Sequence, residues 1–174
     1  QLDIAWEDKA ANHARVATLL GAQPLPRGSL VLLPEMFATG FSMAVAEIAD
    51  GPEGATTRFL GDLARTHGLT IVAGIVAASA SGRGRNEAVV FGADGREQAR
   101  YCKLHPFSYS GEPEHYDRGE GVVTFEWNGA TVAPFVCYDL RFPEAFRAAV
   151  RRGTLIFAVI ANWPTGRESH WTTL

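Results

Sequence analysis

The stretch Leu69 to Ala77, LTIVAGIVA, constrains the fold most tightly. Apart from Thr70 and Gly74 it is apolar and rich in β-branched residues. The alternation that marks a half-exposed strand is missing, so the run reads as a strand buried on both faces. Leu30 to Leu33, Thr131 to Val136 and Thr154 to Ile160 are apolar runs of the same kind. Asn86 to Gly92, Arg96 to Leu104 and Val122 to Trp127 read as further strands, joined by turns at Asp94-Gly95 and Asn128-Gly129. Gln1 to Trp6 reads as the tail of an edge strand. Helical spacing appears from Asp8 to Leu20, ending at Gly21, and from Thr56 to Gly68, with Gly68 as the cap. Glu144 to Arg152 and a segment beginning near Glu168 are also helical in composition. Strands alternate with helices at first and last, with a meander between them. The expectation is one mixed α/β domain over 1–174, its sheet covered on both faces.

Composition narrows the function. Of 174 residues, 47% are hydrophobic and 20% charged, enough for a real core. A formal net charge of −3 gives no general attraction to nucleic acid or an anionic membrane. Two cysteines, Cys102 and Cys137, make no disulfide framework and no metal-finger spacing. They suit a reducing, cytoplasmic compartment. No apolar run reaches the roughly 18 residues of a membrane span, and no secretory leader is legible. No histidine sits at ligand spacing, so neither metal nor cofactor is expected. The sequence opens at Gln1 without Met and stops at Leu174 within a helical stretch, which reads as a fragment.

Three polar residues each follow a buried β run: Glu35, Lys103 and Cys137. Strand ends are where α/β folds place chemistry. Cys137 sits where TVAPFV gives way to YDLRFPE, a strand-to-helix corner. Such a corner pushes the sulfur out of the sheet edge, beside fresh backbone N–H groups, and favours a thiolate. A thiol, a carboxylate and an ammonium together suffice for acyl transfer: nucleophile, proton acceptor and oxyanion donor. Each also has a plain reading, as a buried structural cysteine, a solvated loop acid and a surface lysine. Cys102 adjoins Lys103 but belongs to the opposite face of its strand, and is assigned to the core.

Taken together, LPEMFATGFSM (Leu33 to Met43), YCKLHPFSYSGEPEHY (Tyr101 to Tyr116) and VCYDLRFPEAFR (Val136 to Arg147) resemble the three signature blocks of the nitrilase, or carbon–nitrogen hydrolase, superfamily. With ANWPTGRESHWTTL near the end, the blocks are most similar to the omega-amidase branch, which hydrolyses the side amide of 2-oxoglutaramate and related dicarboxylate monoamides. The resemblance implies a four-layer α-β-β-α sandwich, here incomplete at both ends, that tends to form homo-oligomers. It implies Glu35, Lys103 and Cys137 as catalytic residues and a second glutamate near the lysine, best matched by Glu112 with Glu114 as the alternative. It implies no cofactor, and a small-molecule amide as the partner.

An omega-amide carries a distal carboxylate, for which Arg141 offers a bidentate fork. A structural salt bridge from Arg141 to Asp139 or Glu144 is the competing reading. Tyr138 supplies a backbone N–H beside the cysteine. His115 and Tyr116 are expected to line the pocket, with Phe41, Trp163 and Phe107 as apolar walls. Core packing is the alternative for Phe41 and Trp163. Rival readings are another carbon–nitrogen hydrolase (a nitrilase, an N-carbamoyl hydrolase or an aliphatic amidase), a papain-like Cys–His pairing, and an inactive scaffold of the same fold.

Overall fold

The computed structural model describes residues 2–174. Leu2–Ala5 form no strand, and Gln1 lies outside the described residues, so the expected edge strand at the start is corrected. Helix α1 (Lys9–Ala22) opens instead on an Asp8 cap, whose carboxylate accepts the Ala11 N–H at 2.9 Å. Strand β1 (Leu30–Leu32) follows, then the single turn α2 (Val45–Ile48) and α3 (Ala55–His67). Gly68 ends α3 in the left-handed conformation, φ 63°, as its sequence position predicts. The meander is β2 (Thr70–Ala78), β3 (Gly84–Phe91) and β4 (Glu97–Cys102). A one-turn helix α4 (Glu112–His115) and the two-residue β5 (Tyr116–Asp117) sit in the long connection that follows β4. Then come β6 (Phe125–Trp127), shorter than the run from Val122 suggested, and β7 (Ala130–Val136). A 3-10 turn Cys137–Arg141 separates β7 from α5 (Pro143–Val150); β8 (Ile156–Ile160) and α6 (Glu168–Thr173) complete the order.

The strands make two sheets. In one, the order is β1-β2-β3-β4 with β5 beside β3; in the other it is β6-β7-β8. Since β1 runs parallel to β2, and β3 is antiparallel to both β2 and β4, the carboxyl ends of β1 and β4 share an edge. β7 and β8 are parallel in the second sheet. Val16 of α1 and Leu60, Leu63 and Ala64 of α3 pack with Ile71, Ala73, Ile75 and Val89 on one face of the first sheet. Val72, Ala88, Val90 and Tyr101 on its other face meet Val132, Phe135 and Val136 of β7, in a cluster that also takes Ala145 and Ala149 of α5. This is the α-β-β-α layering. β2 is buried on both faces, as its composition predicts.

The outer strands are less buried than their sequences suggested. Leu32 is 42% exposed and Phe157 40% exposed, because β1 and β8 each pair on one side only among the described residues. Leu155, read as part of β8, precedes it and is exposed. No helix among the described residues is long and apolar enough to cross a membrane.

One close approach decides where the site can form. Gly74 of β2 lies against the segment after β1: its N–H donates to Pro34 O at 3.2 Å, and Phe37 N–H donates to Gly74 O at 3.1 Å. A Cβ at Gly74 would stand 2.4 Å from Glu35 Cα and 2.6 Å from Met36 N. Gly74→Ala is therefore expected to destabilise the fold by about 3 kcal/mol, and to lower activity by displacing Glu35. A thermal melt within about 2 °C of the parent would refute this.

Candidate active site

Each candidate side chain is delivered by a chain end that the sheets bring to one edge. Glu35 follows β1, Lys103 follows β4, Cys137 follows β7, and Asn162 lies just past β8. Two backbone conformations are unusual. Met36 and Cys137 are non-glycine residues at positive φ, 47° and 48°. Left-handed backbone is costly for such side chains and persists where surrounding structure enforces it. Both strained residues flank the site: one carries the candidate nucleophile and the other adjoins Glu35.

The polar centre is closed on itself. Glu35, Lys103 and Glu112 are all fully buried. The Lys103 ammonium donates to Glu35 Oε1 at 2.8 Å and to Glu112 Oε2 at 2.8 Å. Asn86 Nδ2 donates to Glu35 Oε1 at 2.8 Å and to Glu112 Oε1 at 2.7 Å. The Asn162 N–H donates to Glu35 Oε2 at 3.0 Å, and the charge of the same carboxylate acts on the Cys137 thiol. Burial opposes the charge on Lys103, but Glu35 and Glu112 outweigh it and raise its pKa above the ordinary lysine value, so the ammonium is kept. Among the described residues two carboxylates are its hydrogen-bond partners, leaving one N–H uncommitted. The Phe41 ring centroid stands 5.3 Å from that nitrogen.

Cys137 behaves differently from the thiolate expected of its corner. Burial first, and the Glu35 charge second, push its pKa well above the ordinary cysteine value, against the pull of Lys103. The resting sulfur is a thiol. The turn amides that were expected to ionise it are outweighed by desolvation and a neighbouring carboxylate.

Asp139, two residues on, is fully buried and ties this corner to the end of β4. Its Oδ2 accepts from Val136 N at 3.1 Å and from Tyr101 Oη at 2.7 Å; its Oδ1 accepts from His105 N at 3.0 Å and lies 2.8 Å from His105 Nδ1. The His105 ring stacks on Phe142, centroids 3.7 Å apart.

The centre opens into a cavity of about 720 Å³, lined in part by Glu35, Cys137, Phe41, Phe107, Tyr138 and Trp163. Arg141, Arg167 and His170 also border it. Lys103 and Glu112 are not among its lining residues; Lys103 bonds the Glu35 carboxylate that is, and Glu112 bonds Lys103. Arg141 makes no salt bridge to Asp139 or Glu144: Asp139 pairs with His105, and Glu144 with Arg147. One Arg141 nitrogen lies 3.0 Å from His170 Nδ1. The Arg167 guanidinium lies over the Phe107 ring at 4.9 Å.

Two expected pocket residues are corrected. Tyr116 is buried in a cluster with Met36, Ile48 and Val76, its hydroxyl on Ser42 O, and it packs a loop. His115 is exposed at the end of α4, off the cavity. The turn of α4 explains His115, since it aims Glu112 inward and sends the next three residues outward; Tyr116 follows the turn, in β5, and is buried. Glu114 is exposed, so Glu112 is the glutamate that reaches the lysine. Cys102 is buried with its sulfur toward Asp117 O at 3.6 Å, and burial raises its pKa to about 12. Sequence reasoning missed Asn86, Asn162 and Arg167. Asn86 lies inside a strand where polar residues are common, and the other two lie in a loop whose path no local pattern reveals. Among the described residues no group of three His, Cys, Asp or Glu side chains is placed to hold a metal ion.

A model of the carbon-nitrogen hydrolase family matches residues 1–174. The chain is 36% identical to omega-amidase YafV of Yersinia enterocolitica over 175 residues, covering 100% of this chain and 65% of that protein. It is 29% identical to 2-oxoglutaramate amidase of Bacillus subtilis, covering 100% of this chain and 67% of that one. The chain thus spans about two thirds of the length of these curated relatives. The crystal structure of XC1258 from Xanthomonas campestris, a CN-hydrolase superfamily protein with an arsenic adduct in its active site, superposes with a TM-score of 0.91 at 31% identity, covering 99% of this chain and 66% of that one.

Proposed function

The chain belongs to the carbon–nitrogen hydrolase family, and on that premise we propose that it hydrolyses the amide of a small carboxylate-bearing monoamide, of the 2-oxoglutaramate kind, through a thioester on Cys137. The observation that carries the reading is the buried Glu35–Lys103–Glu112 assembly behind a cysteine that opens onto a cavity bordered by two arginines. The arginines on the wall support an anionic substrate: Arg141 and Arg167 border the cavity and make no ion pair among the described residues, while Glu35 shares the Lys103 ammonium with Glu112.

Because Cys137 rests as a thiol, proton transfer accompanies attack. Glu35 takes the thiol proton as the sulfur bonds to the amide carbon. The tetrahedral oxyanion is held by the uncommitted N–H of Lys103 and a backbone N–H at Cys137 or Tyr138. Glu35 returns the proton to the departing ammonia. Glu35 then takes a proton from water as its oxygen bonds to the thioester carbon; the C–S bond breaks, Glu35 gives the proton to the departing Cys137 sulfur, and the acid product leaves. Glu112 holds the lysine from the other side.

The test is ammonia release from 2-oxoglutaramate, succinamate, an aliphatic nitrile and an N-carbamoyl amino acid, with Cys137→Ala as control. Release from the first two, lost in the control, is expected. Release only from the nitrile or the carbamoyl substrate would discard the omega-amidase reading and keep the family. None from any would favour a scaffold. Arg141→Ala and Arg167→Ala are each expected to lower kcat/KM for succinamate by about 10- to 100-fold, the range of a hydrogen bond to a charge. A neutral amide such as propionamide should lose nothing. Equal losses on both substrates would exclude carboxylate recognition by these arginines.

A further inference from the structure

We propose that Asn86 is a positioning residue that decides which oxygen of Glu35 receives the Cys137 proton. The inference rests on the reading of Glu35 as the base for Cys137 and adds an atom-level assignment to it. Asn86 is buried in the middle of the first sheet, on β3, opposite Val76. Its backbone carbonyl accepts the Lys103 N–H at 2.9 Å, so the same residue fixes the lysine's main chain. Its side-chain nitrogen bridges both carboxylates, to Glu35 Oε1 at 2.8 Å and Glu112 Oε1 at 2.7 Å. The amide orientation is forced, because turning it over would set Oδ1 against two carboxylate oxygens.

A ring of hydrogen bonds results, from Asn86 to Glu35, Lys103, Glu112 and back. In it, Glu35 Oε1 already accepts from both Lys103 and Asn86. A carboxylate oxygen offers two strong lone-pair sites, so Oε1 is filled. Oε2 accepts from the Asn162 N–H alone within the assembly, which leaves one site for the thiol proton. The proton therefore passes from Sγ to Oε2, and the S–H electron pair becomes the bond to the amide carbon.

Asn86 Oδ1 is buried and without a hydrogen-bond partner among the described residues. An unpaired buried acceptor works against stability. The two bonds that Nδ2 makes to buried carboxylates offset that loss, which an apolar residue of similar size would not do.

The test uses Asn86→Leu, which removes both donors at similar volume, and Asn86→Ser, which keeps one. Two profiles are measured against pH: kcat and KM for ammonia release, and the rate of Cys137 alkylation by iodoacetamide, followed on its own peptide by mass spectrometry. Losing donors disfavours the ionised carboxylates, so the acid limb of both profiles should move to higher pH in Asn86→Leu and less far in Asn86→Ser. In the same variant kcat should fall by about 10- to 100-fold with KM nearly unchanged. Unmoved limbs in a folded variant, a loss confined to KM, or a wild-type alkylation profile without an acid limb would overturn the proposal. If Asn86→Leu fails to fold, the limb of Asn86→Ser decides by the same criterion. Should the wild type hydrolyse no amide while the alkylation limb still shifts, Asn86 keeps its role and the proposed hydrolase function falls.

Discussion

Replacing Lys103 with Met is expected to lower ammonia release by about 10³-fold, the upper range for loss of one oxyanion donor, and to destabilise the protein by about 3–5 kcal/mol. The two losses have different origins. In the proposed mechanism activity falls because the N–H that holds the developing oxyanion is gone. Stability falls because Glu35 and Glu112 stay buried with their common cation removed. The distinction is testable in one further variant. Lys103→Met combined with Glu35→Gln and Glu112→Gln replaces the whole charged assembly with neutral groups of similar shape. Such replacements are often neutral for stability, so the triple variant should regain most of the lost urea resistance while remaining inactive. If it unfolds as readily as the single variant, the buried charges are not what makes Lys103 necessary to the fold. The sign with pH is also fixed. Lys103 has a raised pKa in the folded protein, so its stabilisation is complete below the unfolded lysine value, about 10.4, and is lost as pH rises through the folded value.

Asp139→Ala is expected to cost about 4 kcal/mol, because it strands the buried donors of Val136, His105 and Tyr101 at once. Asp139→Asn should cost about half as much, since its remaining oxygen can still accept from part of that set. The effect on rate should exceed what partial unfolding explains. Val136 leads into Cys137, and Leu104 and His105 follow Lys103, so Asp139 is the tie between the two chain ends that carry the thiol and the ammonium. Chemical denaturation gives the first quantity, and kcat measured well below the melting midpoint gives the second. A folded Asp139→Asn with full kcat would show that the tie serves stability alone.

The fold was legible where a physical signal is local. The apolar run of β2 requires cover on both faces, Gly68 marks a helix end, and the Asn128-Gly129 turn joins β6 to β7; each reading needs only a few neighbouring residues. Strand limits were less legible. β6 begins at Phe125 and β1 stops at Leu32, because pairing partners, not composition, decide where a ladder ends. His115 and Tyr116 were misplaced for a similar reason. GEPEHY carries a proline and two acids in the first turn of α4, ordinary helix-start residues, but a single turn is too short for side-chain periodicity to show which residues face inward.

The sequence by itself determined which groups are available for chemistry and that each stands at a strand end: Glu35, Lys103 and Cys137, with Glu112 in the loop. Order along the chain and local composition suffice for that. Only the tertiary structure decided how they act. The lysine's charge, the protonated state of the thiol, the choice of Glu112 over Glu114 and the bridging amide of Asn86 all depend on distances between residues 9 to 127 positions apart. Burial among those neighbours sets the cost of each charge, and no pattern along the chain carries that quantity.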